Sequence, residues 1–113
     1  MYKRQAYDVD VVIDATGRFL NRDELSAHLD SGAKRVFISR NAKDTIDRYV
    51  IPGINESSIK SSDQIISTTS STTQVLALMV KMLDESFGLK RAMMTTVHAY
   101  TADQPLALSL IHI

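Results

Sequence analysis

Two features of this chain could do chemistry: a hydroxyl-rich tract, Ser67-Thr68-Thr69-Ser70-Ser71-Thr72-Thr73-Gln74, and the isolated His98. The tract lies where an apolar run gives way to a helical pattern. The first backbone N–H groups of a helix are unpaired there, and the helix dipole favours an anion or a developing negative charge. A hydroxyl at that point with an imidazole in reach is a nucleophile with its base, and Ser71 and His98 are the candidates. Both features also have plain structural uses. Ser and Thr cap helices, and a histidine at a strand end often serves only as a hydrogen-bonding residue. With no cysteine, the chain has no disulfide, no thiolate zinc site and no cysteine nucleophile, and no metal site is read from it.

Elements that could position these groups alternate along the chain. Val9 to Ala15 is short, apolar and β-branched, and Thr16-Gly17 breaks it, as in a buried parallel strand. Asn21-Arg22-Asp23-Glu24 has a cap residue with Glu three positions on, opening a helix that runs through Leu25 and Leu29 to a stop at Gly32. Arg35–Ser39 is a second strand, which makes a βαβ unit with a right-handed crossover and a parallel sheet. Residues 40–48 are polar and read as a loop. Tyr49–Ile51 and Gln64–Ser67 are brief strands. From Val75, apolar residues recur at Leu76, Met79, Met82 and Leu83, predicting a helix that ends at Phe87-Gly88 and is buried on most sides. Arg91 to Tyr100 alternates and reads as a strand ending near His98. Parallel topology would bring that end to the edge where ligands of open α/β sheets collect. Four of the five methionines fall in these last two elements and read as adaptable core filler.

Composition narrows the class. Thirteen basic residues balance thirteen acidic ones, which argues against a nucleic-acid-binding module. No apolar run approaches the roughly 20 residues that span a bilayer, and no secretory signal pattern is present. A cytoplasmic protein with neither nucleic-acid nor membrane partners is the expectation. Residues 1–5 and 108–113 can be encoded by reverse-complementary strings resembling a transposase sequencing adapter. They are therefore expected to be adapter-derived and are kept out of the fold reasoning.

Several stretches together resemble one family: Asp10-Val11-Val12-Ile13-Asp14-Ala15-Thr16-Gly17-Arg18-Phe19, Ala27-His28-Leu29, Gly32–Val36, Gly53-Ile54-Asn55-Glu56, Ser67–Ala77 and Met94–Thr101. Residues 8–107 are similar throughout, in order and spacing, to an internal segment of phosphorylating glyceraldehyde-3-phosphate dehydrogenases and close paralogues. The resemblance implies an α/β fold in which residues 6–70 end a Rossmann-type NAD-binding domain and 71–107 begin an α+β catalytic domain. It implies NAD as cofactor, with NADP left open. A small phosphorylated aldehyde and inorganic phosphate are the implied substrates, within glycolysis or related sugar-phosphate metabolism, and the parent protein is a homotetramer. Thr16, Gly17 and Ser39 match positions lining the NAD pocket, the first two through backbone and Ser39 through its side chain. Ser70 and Thr72 match substrate contacts, Thr101 a phosphate-binding threonine, and His98 the histidine that activates the nucleophile.

One position departs from the family in a way that matters. The family tract reads Ser-Asn-Ala-Ser-Cys-Thr-Thr-Asn, so Ser71 occupies the place of the catalytic cysteine, and Gln74 and Val75 replace Asn and a second Cys. A thiol starts near pKa 8.5 and can be ionised at a helix N-terminus beside a histidine. A helix dipole supplies at most about 2 kcal/mol, or ~1.5 pKa units, far short of a standing serine alkoxide. His98 would have to take the proton during attack. Three functions stay open at this point: an NAD-dependent aldehyde dehydrogenase weakened by serine, a silent paralogue that binds nucleotide or sugar phosphate, and a serine esterase-like hydrolase.

Overall fold

A computed structural model of the chain describes residues 8–99. Its elements run β1 (Val11–Asp14), α1 (Arg22–Asp30), β2 (Arg35–Ile38), β3 (Arg48–Tyr49), a 3-10 turn at Glu56–Ser58, β4 (Ile65–Ser67) and α2 (Ser71–Phe87). The four strands form one parallel sheet in the order β1-β2-β4-β3. The α/β class and the parallel sheet expected from the alternating pattern are thus both present.

Register carries the argument toward function. Asp14 pairs with Ile38, Ile38 with Ser67, and Ser67 with Tyr49. The carboxyl ends of all four strands therefore lie along one edge. Each strand delivers its next residues there: Thr16-Gly17 after β1, Ser39-Arg40 after β2, and the hydroxyl tract after β4.

The core forms where α1 covers the middle strands. Leu25, Val36, Ile38, Ile46 and Ile65 make one buried cluster, with Leu29 and Ala42 packed against it. The acid expected to open α1 does so: Glu24 Oε2 accepts from the backbone N–H groups of Leu20 and Asn21 at 2.9 and 3.1 Å. Asp44 closes the same end by accepting from Arg22 N. Gly32 follows the helix at φ 103°, a left-handed conformation suited to its role as the stop. Asp47 ties this end of α1 to β4, accepting from Arg22 Nη2 and from the N–H groups of Gln64 and Ile65, each at 2.9 Å.

Three expectations are corrected. β1 is parallel but not buried: Val11 and Ile13 are exposed, because among the described residues it stands at the edge of the sheet with only β2 beside it. Residues 91–99 are not a strand: none of them pairs with another described residue, and Met93 and Val97 are almost fully exposed. Alternation alone makes no strand, because the ladder needs a neighbouring backbone. Nor is α2 buried on most sides, since it contains no buried residue. Most of its apolar stripe, with Leu89 and residues 92–96, instead lines a groove of about 570 Å³ that includes Val75, Met79, Leu83 and Met94. The four methionines read as core filler are accordingly exposed. Smaller shifts occur at the sheet edge, where β3 includes Arg48 and ends at Tyr49.

Candidate active site at the carboxyl edge of the sheet

The junction between β4 and α2 is built almost entirely from hydroxyl groups. Ser67, fully buried, donates its Oγ to the Arg40 carbonyl at 2.7 Å and accepts from Thr69 N at 2.9 Å. Thr68 N donates to the Ile38 carbonyl at 3.0 Å, continuing the sheet one residue past β4. The chain then reverses through Thr69 at φ 65°, a left-handed conformation costly for a β-branched residue. Ser70 caps α2, its Oγ accepting from Thr73 N at 3.2 Å and lying 2.8 Å from the Thr73 hydroxyl. Gln74 reaches back from the first turn, and its Nε2 donates to the Thr68 carbonyl at 2.6 Å. Gln74 therefore braces the turn that carries Ser71.

Ser71 is the first residue of α2 and is exposed. His98 stands near the same helix end, its Nε2 3.4 Å from Thr72 Oγ1 and 2.8 Å from Thr96 Oγ1. Two hydroxyls, rather than Ser71 itself, are its hydrogen-bond partners. No carboxylate bonds to His98 among the described residues, so the orienting acid of a serine-hydrolase triad is not supplied there. Thr101 lies outside the described residues. Of the candidate residues for chemistry and substrate, the structure thus brings Ser70, Ser71, Thr72 and His98 to one helix end.

Candidate cofactor residues occupy the adjacent strand ends. Thr16 donates to Asp14 Oδ1 from both its N–H (2.9 Å) and its hydroxyl (2.7 Å), and that hydroxyl accepts from Arg18 N at 3.2 Å. Gly17 has φ 70°, and a Cβ placed on it would come within 3.0 Å of Arg40 Nη1, which donates to the Gly17 carbonyl at 3.1 Å. Conformation is what favours glycine there, since the Arg40 guanidinium, at the end of a flexible exposed side chain, can yield to a Cβ. Ser39 follows β2 with its side chain exposed and its N–H on the Asp14 carbonyl at 3.3 Å. A glycine turn and an exposed hydroxyl thus lie together at the carboxyl edge of the parallel sheet, where ligands of open α/β sheets collect.

One pair at this edge was not singled out from sequence. Asp14 and His28 are both buried, with His28 Nε2 3.0 Å from Asp14 Oδ2. Phe19 meets the imidazole edge-on, with ring centroids 5.7 Å apart. Burial pushes the Asp14 carboxyl up, but the hydrogen bonds from Thr16 and His28 outweigh it and hold the group below its ordinary value. The sequence signal was an acid ending an otherwise apolar strand, a position that demands a buried partner.

Comparison with known proteins points to one family. Residues 70–112 match the family described as glyceraldehyde 3-phosphate dehydrogenase, C-terminal domain. The chain is 50% identical over 97 residues to the glyceraldehyde-3-phosphate dehydrogenase of Chlamydia trachomatis, covering 86% of this chain and 29% of that protein. It is 46% identical over 100 residues to that of Mycoplasma pneumoniae, covering 88% and 30%, and 49% identical over 98 residues to that of Mycobacterium avium, covering 87% and 29%. The chain thus spans about three-tenths of the length of the curated relatives it matches.

Proposed function

Because the chain belongs to the glyceraldehyde-3-phosphate dehydrogenase family, we propose that it is the central part of an NAD-dependent phosphorylating aldehyde dehydrogenase whose nucleophile position holds serine. The observation that carries this reading is the shared edge. The Thr16–Gly17 turn and Ser39 end two strands, and the next strand in the sheet leads into the helix end that gathers Ser71 and His98. A cofactor and a nucleophile must adjoin for hydride transfer, and parallel register puts the two sets of residues on one side. In this reading residues 6–70 close the nucleotide domain and 71–107 open the catalytic one, which the family match beginning at residue 70 supports.

Each residue then has a task. Gly17 and Thr16 would hold NAD through backbone, and Ser39 through its hydroxyl; bound NAD supplies the hydride acceptor. Ser70 and Thr72 would orient a phosphorylated aldehyde, with Thr101 taking its phosphate. His98 accepts the Ser71 proton as Ser71 Oγ adds to the aldehyde carbon, and the α2 N-terminus favours the negative charge that develops. Loss of hydride from that carbon leaves an acyl-serine, which inorganic phosphate then releases. Serine is the slow part of this scheme, since it must lose its proton during attack rather than beforehand. The full-length protein is expected to be a cytoplasmic homotetramer. No helix among the described residues is long and apolar enough to cross a membrane.

A second reading, a silent member that keeps only nucleotide or sugar-phosphate binding, is favoured by one observation: His98 is engaged by Thr72 and Thr96 and not by Ser71. Replacing Ser71 separates the two. In a full-length enzyme carrying this segment, Ser71→Cys should raise NAD-dependent oxidation of glyceraldehyde 3-phosphate by at least about 1000-fold. Recovery of little or no activity, with NAD binding intact, would establish the silent reading. Equal rates for Ser71 and Cys would show that the acidity argument is wrong. Cleavage of an activated ester that both Ser71→Ala and His98→Ala abolish would point instead to the hydrolase.

A further inference from the structure

We propose that His28, acting through Asp14, is a positioning residue for the Thr16–Gly17 turn and hence for dinucleotide binding at this sheet edge. The inference rests on the NAD reading above and adds residues that do not themselves line the pocket. A carboxylate at the end of β1 is only 6% exposed, and a buried carboxylate is tolerated when its oxygens are occupied. Both are occupied. Oδ1 takes the N–H and the hydroxyl of Thr16, while Oδ2 faces His28 Nε2 at 3.0 Å. An ionised carboxylate can only accept, so Nε2 carries the hydrogen.

A continuous chain of hydrogen bonds results. His28 on α1 holds Asp14, Asp14 holds Thr16 at two atoms, and the Thr16 hydroxyl accepts from Arg18 N across Gly17. The Ala15–Thr16 and Gly17–Arg18 peptide planes are thereby set by a pair buried beneath the turn. Phe19, packed edge-on against the imidazole, limits the positions His28 can take. On the outer side, Arg40 Nη1 holds the Gly17 carbonyl. A turn that binds through its backbone has no side chain with which to correct an error in orientation. Its geometry must come from what holds the backbone, and here that is the His28–Asp14–Thr16 chain.

The test separates positioning from simple stabilisation. The host is the full-length Chlamydia trachomatis relative, with the corresponding residues of this chain put in place of its own. NADH affinity is read by fluorescence well below the melting temperature, and the thermal midpoint is read separately. His28→Leu, which removes the donor, should weaken NADH binding about tenfold, the loss expected for one hydrogen bond to a charged group. His28→Gln, which keeps an N–H donor near Nε2, should restore binding to within about threefold of the parent. Thr16→Val, which removes the hydroxyl bond to Asp14 and keeps the Thr16 N–H bond, should weaken binding comparably. Unaltered affinity in both Thr16→Val and His28→Leu would overturn the inference, as would equal weakening by Leu and Gln in step with their loss of midpoint. A parent that folds but binds no NADH would instead overturn the NAD reading itself.

Discussion

The sheet with α1, and α2 with the residues after it, are similar in their supply of apolar side chains and opposite in what they do with them. Leu25, Val36, Ile38 and Ile65 are almost completely shielded between α1 and the strands. Along α2, Val75, Met79 and Met82 expose 58%, 55% and 68% of their surface. The helix is fastened by polar groups instead: Gln74 to the Thr68 carbonyl, and Lys81 Nζ to the Gly53 carbonyl at 2.6 Å. Periodicity states that a face exists and says nothing of what will cover it. The first region has its own covering layer, because α1 returns directly over β2 and β4. The second contributes the chemistry but not its cover.

The largest expected difference between the regions lies in core deletion. Leu25→Ala should cost about 2–5 kcal/mol, as for a fully buried leucine, whereas Met79→Ala on the exposed stripe should cost less than about 1 kcal/mol. Urea unfolding of the two variants measures this. Equal losses would mean that α2 is packed in solution and that the contrast between the regions is false.

Acid should sharpen the contrast. Asp14, Asp47 and Asp63, all in the sheet region, are held below the ordinary carboxylate value of 3.8. For Asp14 and Asp47 burial works the other way and is outweighed by hydrogen bonds from Thr16 and His28, and from Ile65, Gln64 and Arg22. For Asp63 the Arg48 guanidinium, 2.9 Å away, is the main cause. A depressed folded-state pKa stabilises above the unfolded value and is lost as pH falls through the folded one. Stability of the sheet should therefore be level near neutrality and decline from about pH 4 downward. Thermal midpoints followed from pH 7 to pH 2 check this, and a midpoint that rises on acidification would contradict it.

The smallest effect is expected at the seam between the regions. Thr69→Gly removes a left-handed β-branched residue, a relief of roughly 1–2 kcal/mol, but adds about 0.5–1 kcal/mol of unfolded-chain entropy. A net gain of ~0.5 kcal/mol is the expectation. A clear loss of stability would show that the buried Thr69 side chain contributes more than its backbone costs.

What could be read from sequence differs along the same line. The βαβ unit was legible because each signal was local: an apolar β-branched run, Glu24 three residues after Asn21, and Gly32 at the helix end. The helix at Ser71–Phe87 was legible from its 3.6-residue period and the Ser/Thr tract before it. Residues 91–99 alternate as a strand would, but alternation says nothing of a neighbouring backbone, and none of them is a strand among the described residues. The Asp14–His28 pair escaped notice because its members stand on different elements, and only packing makes one the other's partner.

By itself, the sequence determined element types, the parallel class, the hydroxyl junction before α2 and the family to which these residues belong. All of these come from local backbone preference, side-chain period and motif. Tertiary structure alone decided that Thr16-Gly17, Ser39 and Ser70 share one edge, that His98 bonds to Thr72 and Thr96 rather than to Ser71, and that a buried histidine lies beneath the Thr16–Gly17 turn. The physical reason is that these are distances between residues far apart in the chain. Such distances are set by strand register and by which apolar faces find a partner, and neither is written in any local stretch of residues.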